Sequence, residues 1–213
     1  MPTVLCFGDS NTHGTKPMSD RDSQGRYGPD ERWTGVLRRE LGAGWTVIEE
    51  GLPGRTTVHD DPLEGAHKNG RRYLQACLES HRPLDAIVLM LGTNDLKARF
   101  SLPPEDIADG VDGLLQIIAA AEAGPAGKAP RLLVIAPPAL AKLDLLAGMF
   151  TGGTEKSRHL APLYAAIAAR RGAEFLDAGQ IIGCSDIDGI HFDADALEPF
   201  GEAIAARLKH MFR

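Results

Sequence analysis

A serine near the amino terminus and an aspartate–histidine pair near the carboxyl terminus could together transfer an acyl group. Ser10 stands in a Gly-Asp-Ser-Asn run, and His191 follows Asp188 by three positions. At that spacing a carboxylate can reach an imidazole on the same turn and fix its tautomer. A histidine held in this way can remove the proton of a serine hydroxyl that attacks a carbonyl carbon. The residues therefore predict Ser10 as nucleophile, His191 as its base and Asp188 as the group that orients the base.

Two further positions could stabilise the negative charge that forms on the carbonyl oxygen. Gly54 ends a tight Gly-Leu-Pro-Gly turn, where a backbone N–H could approach a ligand closely. Asn94, in a Gly-Thr-Asn-Asp run, could offer its side-chain amide. With the backbone N–H of Ser10 they predict an oxyanion hole of three donors. Taken singly, each of these runs is equally typical of an ordinary turn or helix cap.

The pattern of apolar residues predicts the elements that must bring these residues together. Short β-branched runs alternate with longer runs of helical period. Strands are predicted at residues 3–7, 46–48, 86–91, 132–136 and 174–176. Helices are predicted at residues 31–41, 71–80, 106–123, 155–171 and 194–212. This alternation favours a parallel sheet with helices on both faces.

The candidate residues follow four different segments that all lead to one edge of such a sheet. Ligands of open α/β sheets bind outside the carboxyl ends of the strands. The four loops offer a nucleophile, two further oxyanion donors and an acid–base pair at this edge. Such a combination is unlikely to arise by chance. The coincidence favours catalysis over the separate turn interpretations.

These runs resemble the sequence blocks of the SGNH hydrolases, also called the GDSL esterase/lipase family. A closer likeness is to bacterial arylesterases and acyltransferases of that family. The strings that carry it are LCFGDS, RWTGVL, EEGL, RTT, MLGTND and DGIH, beginning at residues 5, 32, 49, 55, 90 and 188. The resemblance implies one domain over residues 1–213, a flavodoxin-like three-layer α/β/α sandwich with a five-stranded parallel sheet, and no cofactor. It also implies a homo-oligomer that hydrolyses or transfers the acyl group of small esters.

The walls of the substrate pocket are predicted from residues close to these blocks. The candidates are Asn11, His13, Lys97, Phe100 and Phe150. Related transferases carry leucine and tryptophan at the first two of these positions, so a more polar entrance favours hydrolysis over transfer to alcohol or peroxide. Residues 137–154 form a long irregular segment, which is interpreted as a lid, an oligomer contact or a surface meander.

Composition excludes several other classes of protein. A formal charge of −6 and a pI of about 5.6 argue against nucleic acid as a partner. The apolar runs are too short for a membrane span or a leader peptide, so we expect a soluble cytoplasmic protein. Three cysteines without CxxC spacing are expected to be reduced and structural. The acidic loop around His191 lacks the ligand order of an EF-hand, and no metal is predicted there.

Two alternative functions remain open from the sequence. The first is a carbohydrate O-acetylesterase of the same family, which would use the same catalytic residues on a sugar ester. The second is a non-catalytic α/β module whose glycine-rich turns bind a ligand such as a nucleotide. The spacing of a P-loop and the Gly-x-Gly-x-x-Gly fingerprint are both missing, which argues against the second alternative.

Overall fold

One parallel sheet of five strands forms the centre of the protein. The computed structural model describes residues 1–20 and 22–213. The strands are β1 (Thr3–Gly8), β2 (Thr46–Gly51), β3 (Ala86–Met90), β4 (Arg131–Ala136) and β5 (Glu174–Asp177). They pair in the order β2-β1-β3-β4-β5, and every pair is parallel. All five predicted strands are confirmed. The second strand extends three residues beyond its predicted end, through Glu49, Glu50 and Gly51. The apolar pattern does not reveal them because the two glutamates are polar and lie on a half-buried edge strand.

Seven α-helices surround the sheet within the described residues. They are α1 (Ser10–His13), α2 (Trp33–Leu41), α3 (Gly70–His81), α4 (Pro104–Ala120), α5 (Gly153–Ser157), α6 (Leu160–Arg171) and α7 (Ala194–Met211). The sequence pattern missed α1, because four residues are too few to show a helical period. The single helix predicted at 155–171 is wrong, since the chain forms two helices there. The Ser157 hydroxyl donates to the Thr154 carbonyl at 2.7 Å, which competes with the helical hydrogen bonds where α5 ends.

The helices lie in two layers because alternate strand residues face opposite sides of the sheet. Leu5 and Phe7 of β1 pack in one apolar cluster with residues of α3, α4 and α6. Val4 and Cys6 of the same strand pack in a second cluster with residues of α2 and α7. The predicted three-layer α/β/α sandwich is therefore confirmed. No helix among the described residues is both long and apolar enough to cross a bilayer.

The strand register brings the candidate loops to one edge. Gly8, at the end of β1, is paired with Gly51 of β2 and Met90 of β3. The segments that follow these three strands therefore start side by side. They carry Ser10, Gly54 and Asn94.

The long segment after β4 lies at the surface and is anchored to the body of the protein by apolar side chains. Leu140, Leu146 and Phe150 are each less than 10% exposed and belong to the larger apolar cluster. The Met149 carbonyl accepts a hydrogen bond from Ala98 N at 2.8 Å. Its last two predicted residues, 153 and 154, already belong to α5. The lid and oligomer-contact interpretations stay predictions.

Candidate active site

The turn that carries Ser10 depends on close backbone packing. A Cβ at Gly8 would lie 2.1 Å from Thr12 Oγ1 and 2.9 Å from the Met90 carbonyl oxygen, so only glycine fits between β1 and α1. The Asp9 carboxylate caps α1 by accepting a hydrogen bond from Asn11 N at 3.0 Å. Ser10 is the first residue of α1, so its N–H has no partner within the helix.

Ser10, His191 and Asp188 form a continuous hydrogen-bonded chain. Ser10 Oγ lies 3.0 Å from His191 Nε2. His191 Nδ1 lies 2.6 Å from Asp188 Oδ2 on the other side of the ring. All three residues are buried, and the serine and histidine still reach the wall of a cavity. Residues that are 181 positions apart in the chain thus meet in the geometry of a nucleophile, a base and an orienting carboxylate.

The Asp188 carboxylate is held by donors on all sides. Its Oδ1 accepts from the backbone N–H groups of Ile190 and His191, and its Oδ2 also accepts from Met18 N at 2.8 Å. Burial alone would raise the pKa of Asp188. The hydrogen bonds from His191 and the charge of its ring, with the Met18 N–H, outweigh burial and lower the pKa to about 2. Asp188 is therefore ionised at neutral pH.

Asn11 joins the nucleophile turn to the histidine loop and does not line the cavity, contrary to the prediction. It is 3% exposed, and its Nδ2 donates to the Ile190 carbonyl at 3.2 Å. Its own carbonyl accepts from Trp33 Nε1 at 3.1 Å. The sequence could not reveal this contact because Asn11 and Ile190 lie at opposite ends of the chain. The side chain holds the segments that carry Ser10 and His191 relative to each other.

The candidate oxyanion donors line the same cavity as the Ser10 hydroxyl. Asn94 Nδ2 donates to the Arg55 carbonyl at 3.1 Å, and a primary amide keeps a second hydrogen for another acceptor. Gly54 has φ of 81°, in the left-handed region, within a turn closed by a hydrogen bond from Arg55 N to the Leu52 carbonyl. Ser10, Gly54 and Asn94 all line one cavity. The structure therefore brings the three predicted donors together.

Arg55 fastens this turn to β1, a role that the sequence did not reveal. Its guanidinium donates to the Gly8 carbonyl at 2.9 Å and to the Glu50 carbonyl. The same group lies 4.1 Å from the ring centre of Phe7 and 5.5 Å from that of Tyr73. The residue is only 3% exposed. The hydrogen bonds of Arg55 thus link the turn that carries Gly54 to the end of β1, directly before the turn that carries Ser10.

Asp95 also joins two segments that carry residues of the candidate site. Its carboxylate accepts from Thr57 N at 3.0 Å and from Thr57 Oγ1 at 2.6 Å, which ties the segment after β3 to the segment after β2. Burial raises the pKa of Asp95 to about 7, although the bonds from Thr57 oppose this shift. Burial likewise raises the pKa of Asp9 to about 6. Two carboxyl groups near the nucleophile are therefore easily protonated.

The cavity beside Ser10 has a volume of about 450 Å³ and is lined by both apolar and polar residues. Its apolar lining consists of Met18, Leu146, Met149, Phe150 and Ile190. Its polar lining includes His13, Arg26, Glu64, Lys68 and Lys97. The pocket predictions for His13, Lys97 and Phe150 agree with this placement. Phe100 was expected here and lies elsewhere, with its ring 6.2 Å from that of His59.

The polar lining contains a charged pair that the sequence did not reveal. Lys97 Nζ lies 2.6 Å from Glu64 Oε1 and 3.6 Å from Asp61 Oδ2, and the lysine is almost fully buried. A Cβ at Gly54 would lie 2.4 Å from Glu64 Oε2, so this carboxylate covers the oxyanion turn. Lys68 Nζ donates to the Pro53 carbonyl in the same turn at 2.8 Å. The sequence does not predict this pairing because Glu64 lies in a loop with no recognisable sequence pattern.

Comparisons with known proteins point to one family. A sequence profile of the GDSL-like lipase/acylhydrolase family matches residues 6–198. Among curated proteins, none matches the chain. The structure of Est24, a carbohydrate acetylesterase from Sinorhizobium meliloti, is 43% identical, with a TM-score of 0.93 over 99% of this chain and 100% of the other. The native aryl esterase of M. smegmatis is 42% identical, with a TM-score of 0.94 over 99% of both chains.

A third solved structure is also similar to this chain along its whole length. The putative arylesterase from Agrobacterium tumefaciens is 39% identical, with a TM-score of 0.89 over 99% of both chains. The family profile spans most of the sequence, and the esterase structures share the whole fold. The chain therefore belongs to the GDSL-like lipase/acylhydrolase family, and it is an ester hydrolase of the SGNH type.

Proposed function

We propose that the protein hydrolyses small short-chain acyl or aryl esters through an acyl-enzyme on Ser10. His191 Nε2 takes the proton of Ser10 Oγ as this oxygen bonds to the ester carbonyl carbon, and it then gives the proton to the departing alcohol or phenol. Asp188 holds the ring and stabilises its positive charge. Water then attacks the acyl group with the same base, releasing the acid and the serine. The observation that carries the proposal is the unbroken chain of 3.0 Å and 2.6 Å contacts from Ser10 to Asp188.

In this proposal the carbonyl oxygen is bound by three N–H donors while it carries negative charge. These are the backbone N–H groups of Ser10 and Gly54 and the side-chain amide of Asn94. All three residues border the cavity beside the nucleophile. Donors that are fixed before the reaction stabilise the charge without reorganisation. The hydrogen bond from Asn94 to the Arg55 carbonyl supplies this fixation.

The cavity supports small substrates with one apolar portion. Its volume of about 450 Å³ lies near the lower end of typical ligand pockets. The apolar lining, which includes Leu146, Met149 and Phe150, suits a short acyl chain or an aromatic ring. The name of the M. smegmatis aryl esterase is consistent with this preference.

The polar lining of the cavity favours a second candidate, deacetylation of carbohydrate esters. Glu64, Lys68 and Lys97 place hydrogen-bonding groups where a hydroxylated leaving group could bind. Est24, a carbohydrate acetylesterase, is the relative that motivates this comparison. Both candidates use the same Ser10 chemistry and differ only in the alcohol that leaves.

Transfer of the acyl group to an alcohol or a peroxide is the finer alternative to hydrolysis. His13 borders the cavity and makes the entrance polar, which favours water as acceptor. Asn11 was expected to contribute to this polarity but is buried away from the entrance. The argument for hydrolysis therefore rests on His13 alone.

We also retain the homo-oligomer as a proposal, which light scattering tests directly.

A series of esters distinguishes these candidates. We would measure kcat/KM for p-nitrophenyl acetate, butyrate and octanoate and for a peracetylated sugar, using the wild type, Ser10→Ala and Ser23→Ala. Ser23 also borders the cavity and is the matched control. We expect the highest values for the short aryl esters, loss of activity in Ser10→Ala and retention in Ser23→Ala. A preference for the sugar ester would select the second candidate, and full activity of Ser10→Ala would refute both.

A further inference from the structure

A second cluster of reactive side chains lies at the edge of the sheet, outside the cavity that Ser10 borders. It consists of Glu50 on β2 and of Cys77 and His81 on α3. Cys77 and His81 are four residues apart, so they share one face of the helix. One ligand atom from each of the three residues lies within 4.8 Å of the others. The mechanism proposed for Ser10 uses none of them.

Donors converge on a single carboxylate in this cluster. His81 Nε2 lies 3.1 Å from Glu50 Oε1, and the Tyr73 hydroxyl lies 3.3 Å from the same oxygen. The Cys77 thiol lies within 4.8 Å of the ligand atoms of both Glu50 and His81. The side chains of His81 and Glu50 are 31% and 19% exposed, whereas Cys77 is fully buried. The cluster is therefore open to solvent on one side and closed by the thiol on the other.

We infer that Glu50, Cys77 and His81 form a binding site for one divalent metal ion of the zinc class. Thiolate, imidazole and carboxylate are the three ligand types that zinc takes from proteins, and sites with three protein ligands keep a fourth position for water. The helical spacing of Cys77 and His81 directs both side chains towards Glu50. Binding replaces the thiol proton by the metal ion, releases that proton to solvent and leaves the second imidazole nitrogen protonated. No oxidation or reduction takes part.

The positive charge of Arg55 favours a bound ion whose charge is neutralised by its ligands. Arg55 lies beside the cluster, with its guanidinium 5.5 Å from the ring centre of Tyr73 and bonded to the Glu50 carbonyl. A divalent ion bound by one carboxylate and one thiolate forms a neutral unit, so it does not repel this cation. A hard ion such as magnesium prefers oxygen ligands and gains little from the thiol and the imidazole. The ligand set therefore selects zinc-class ions over magnesium.

Cobalt is a spectroscopic substitute for zinc and tests the site independently of esterase activity. Apoprotein freed of metal by a chelator would be titrated with Co²⁺, and absorption would be recorded in the near ultraviolet and the visible. We expect a thiolate-to-cobalt charge-transfer band that saturates at one ion per chain, and Zn²⁺ should abolish it by competition. Mg²⁺ in the same excess should leave it unchanged.

Substitutions separate this site from adventitious binding. Cys77→Ser should remove the charge-transfer band and weaken Co²⁺ binding by more than the roughly 10- to 100-fold that loss of a group supporting a ligand costs. His81→Gln should weaken binding by a similar factor but keep the band, because the thiolate remains. Cys184→Ser is the matched control, since this cysteine lies outside the cluster and should leave the titration unchanged. Circular dichroism reports folding of each variant, and the half-exposed His81→Gln decides the question if Cys77→Ser does not fold. The inference is wrong if the wild type shows no saturable band, or if binding is unchanged in His81→Gln.

Discussion

The Asn94 side chain is held by one hydrogen bond and keeps a second amide hydrogen for a ligand. One of its amide hydrogens is used by the Arg55 carbonyl at 3.1 Å, and the residue borders the cavity with Ser10. The sequence predicted a donor at this position but not the partner that holds it. Likewise it predicted Ser10, Asp188 and His191, because the types and spacing of these residues carry the chemistry. It could not predict that Asn11 bridges to Ile190, since such a contact depends on tertiary structure alone.

The contribution of Asn94 can be measured directly. Asn94→Ala removes one of three donors to the carbonyl oxygen, so we expect kcat for p-nitrophenyl acetate to fall by about 10² to 10³ with little change in KM. Asn69→Ala offers a comparison at another buried asparagine, which caps α3 and does not border the cavity. Asn69→Ala should lower stability rather than kcat. An unchanged kcat in Asn94→Ala would remove this amide from the oxyanion hole.

Lys97 is expected to act through the charge of Glu64. Lys97→Met removes the nearer of two cations from the Glu64 carboxylate, Lys97 Nζ at 2.6 Å, and leaves Arg99 Nη1 at 3.7 Å. The less compensated carboxylate then opposes the negative charge that develops on the ester carbonyl oxygen. Because the Glu64 side chain is 34% exposed, solvent screens part of the effect, and we expect kcat to fall on the order of fivefold. The double variant Glu64→Gln with Lys97→Met should recover most of this loss. A double variant as slow as Lys97→Met would show that the lysine acts in another way.

At the level of elements, the site depends on how each strand ends. The five strands and their layering were predictable because buried strands read as short apolar runs. The four-residue helix α1 and the break between α5 and α6 were not, because both depend on side-chain hydrogen bonds to the backbone. Gly92, which follows β3, has φ of 122°, and a Cβ there would lie 2.1 Å from the Tyr164 hydroxyl oxygen. That hydroxyl donates to the Leu91 carbonyl at 2.9 Å and is completely buried.

Gly92 and Gly113 should respond in opposite ways to the same substitution. Gly92→Ala adds backbone strain and a clash with Tyr164, so we expect the free energy of unfolding to fall by about 2 kcal/mol or more. Gly113 lies inside α4 with nothing within 4 Å of an added Cβ, so Gly113→Ala should raise stability by about 0.5–1 kcal/mol. Urea unfolding measures both values. Equal stability of the two variants would contradict this account of the β3 turn.

At the level of the whole molecule, buried carboxyl groups determine how stability depends on pH. In the folded state the pKa of Asp9 is raised to about 6 and that of Asp95 to about 7. Between about pH 4 and 7 the folded protein therefore binds more protons at these groups than the unfolded chain does. Their contribution makes the free energy of unfolding decrease as pH rises through this window. Asp188, with a pKa of about 2, stabilises the fold at neutral pH, and this stabilisation is lost as pH falls from about 4 to about 2.

The pH dependence can be assigned by removing one titrating group. Asp95→Asn cannot ionise, so the decrease in the free energy of unfolding between pH 4 and 7 should be shallower than in the wild type. Because the amide keeps only part of the hydrogen bonding to Thr57, the variant should be less stable at pH 4, and the slope is the diagnostic quantity. Urea unfolding at several pH values gives this slope. An identical slope in both proteins would show that Asp95 does not titrate in this range.

Labelling with a fluorophosphonate probe is the most direct measurement on the central claim, that His191 activates Ser10 for attack. The probe forms a stable phosphonyl adduct with an activated serine, and peptide mass spectrometry locates the adduct. We predict one label per chain on Ser10, strong loss of labelling in His191→Ala, and normal labelling in Ser23→Ala. A label on another residue, or a labelling rate that is unchanged by His191→Ala, would contradict the account.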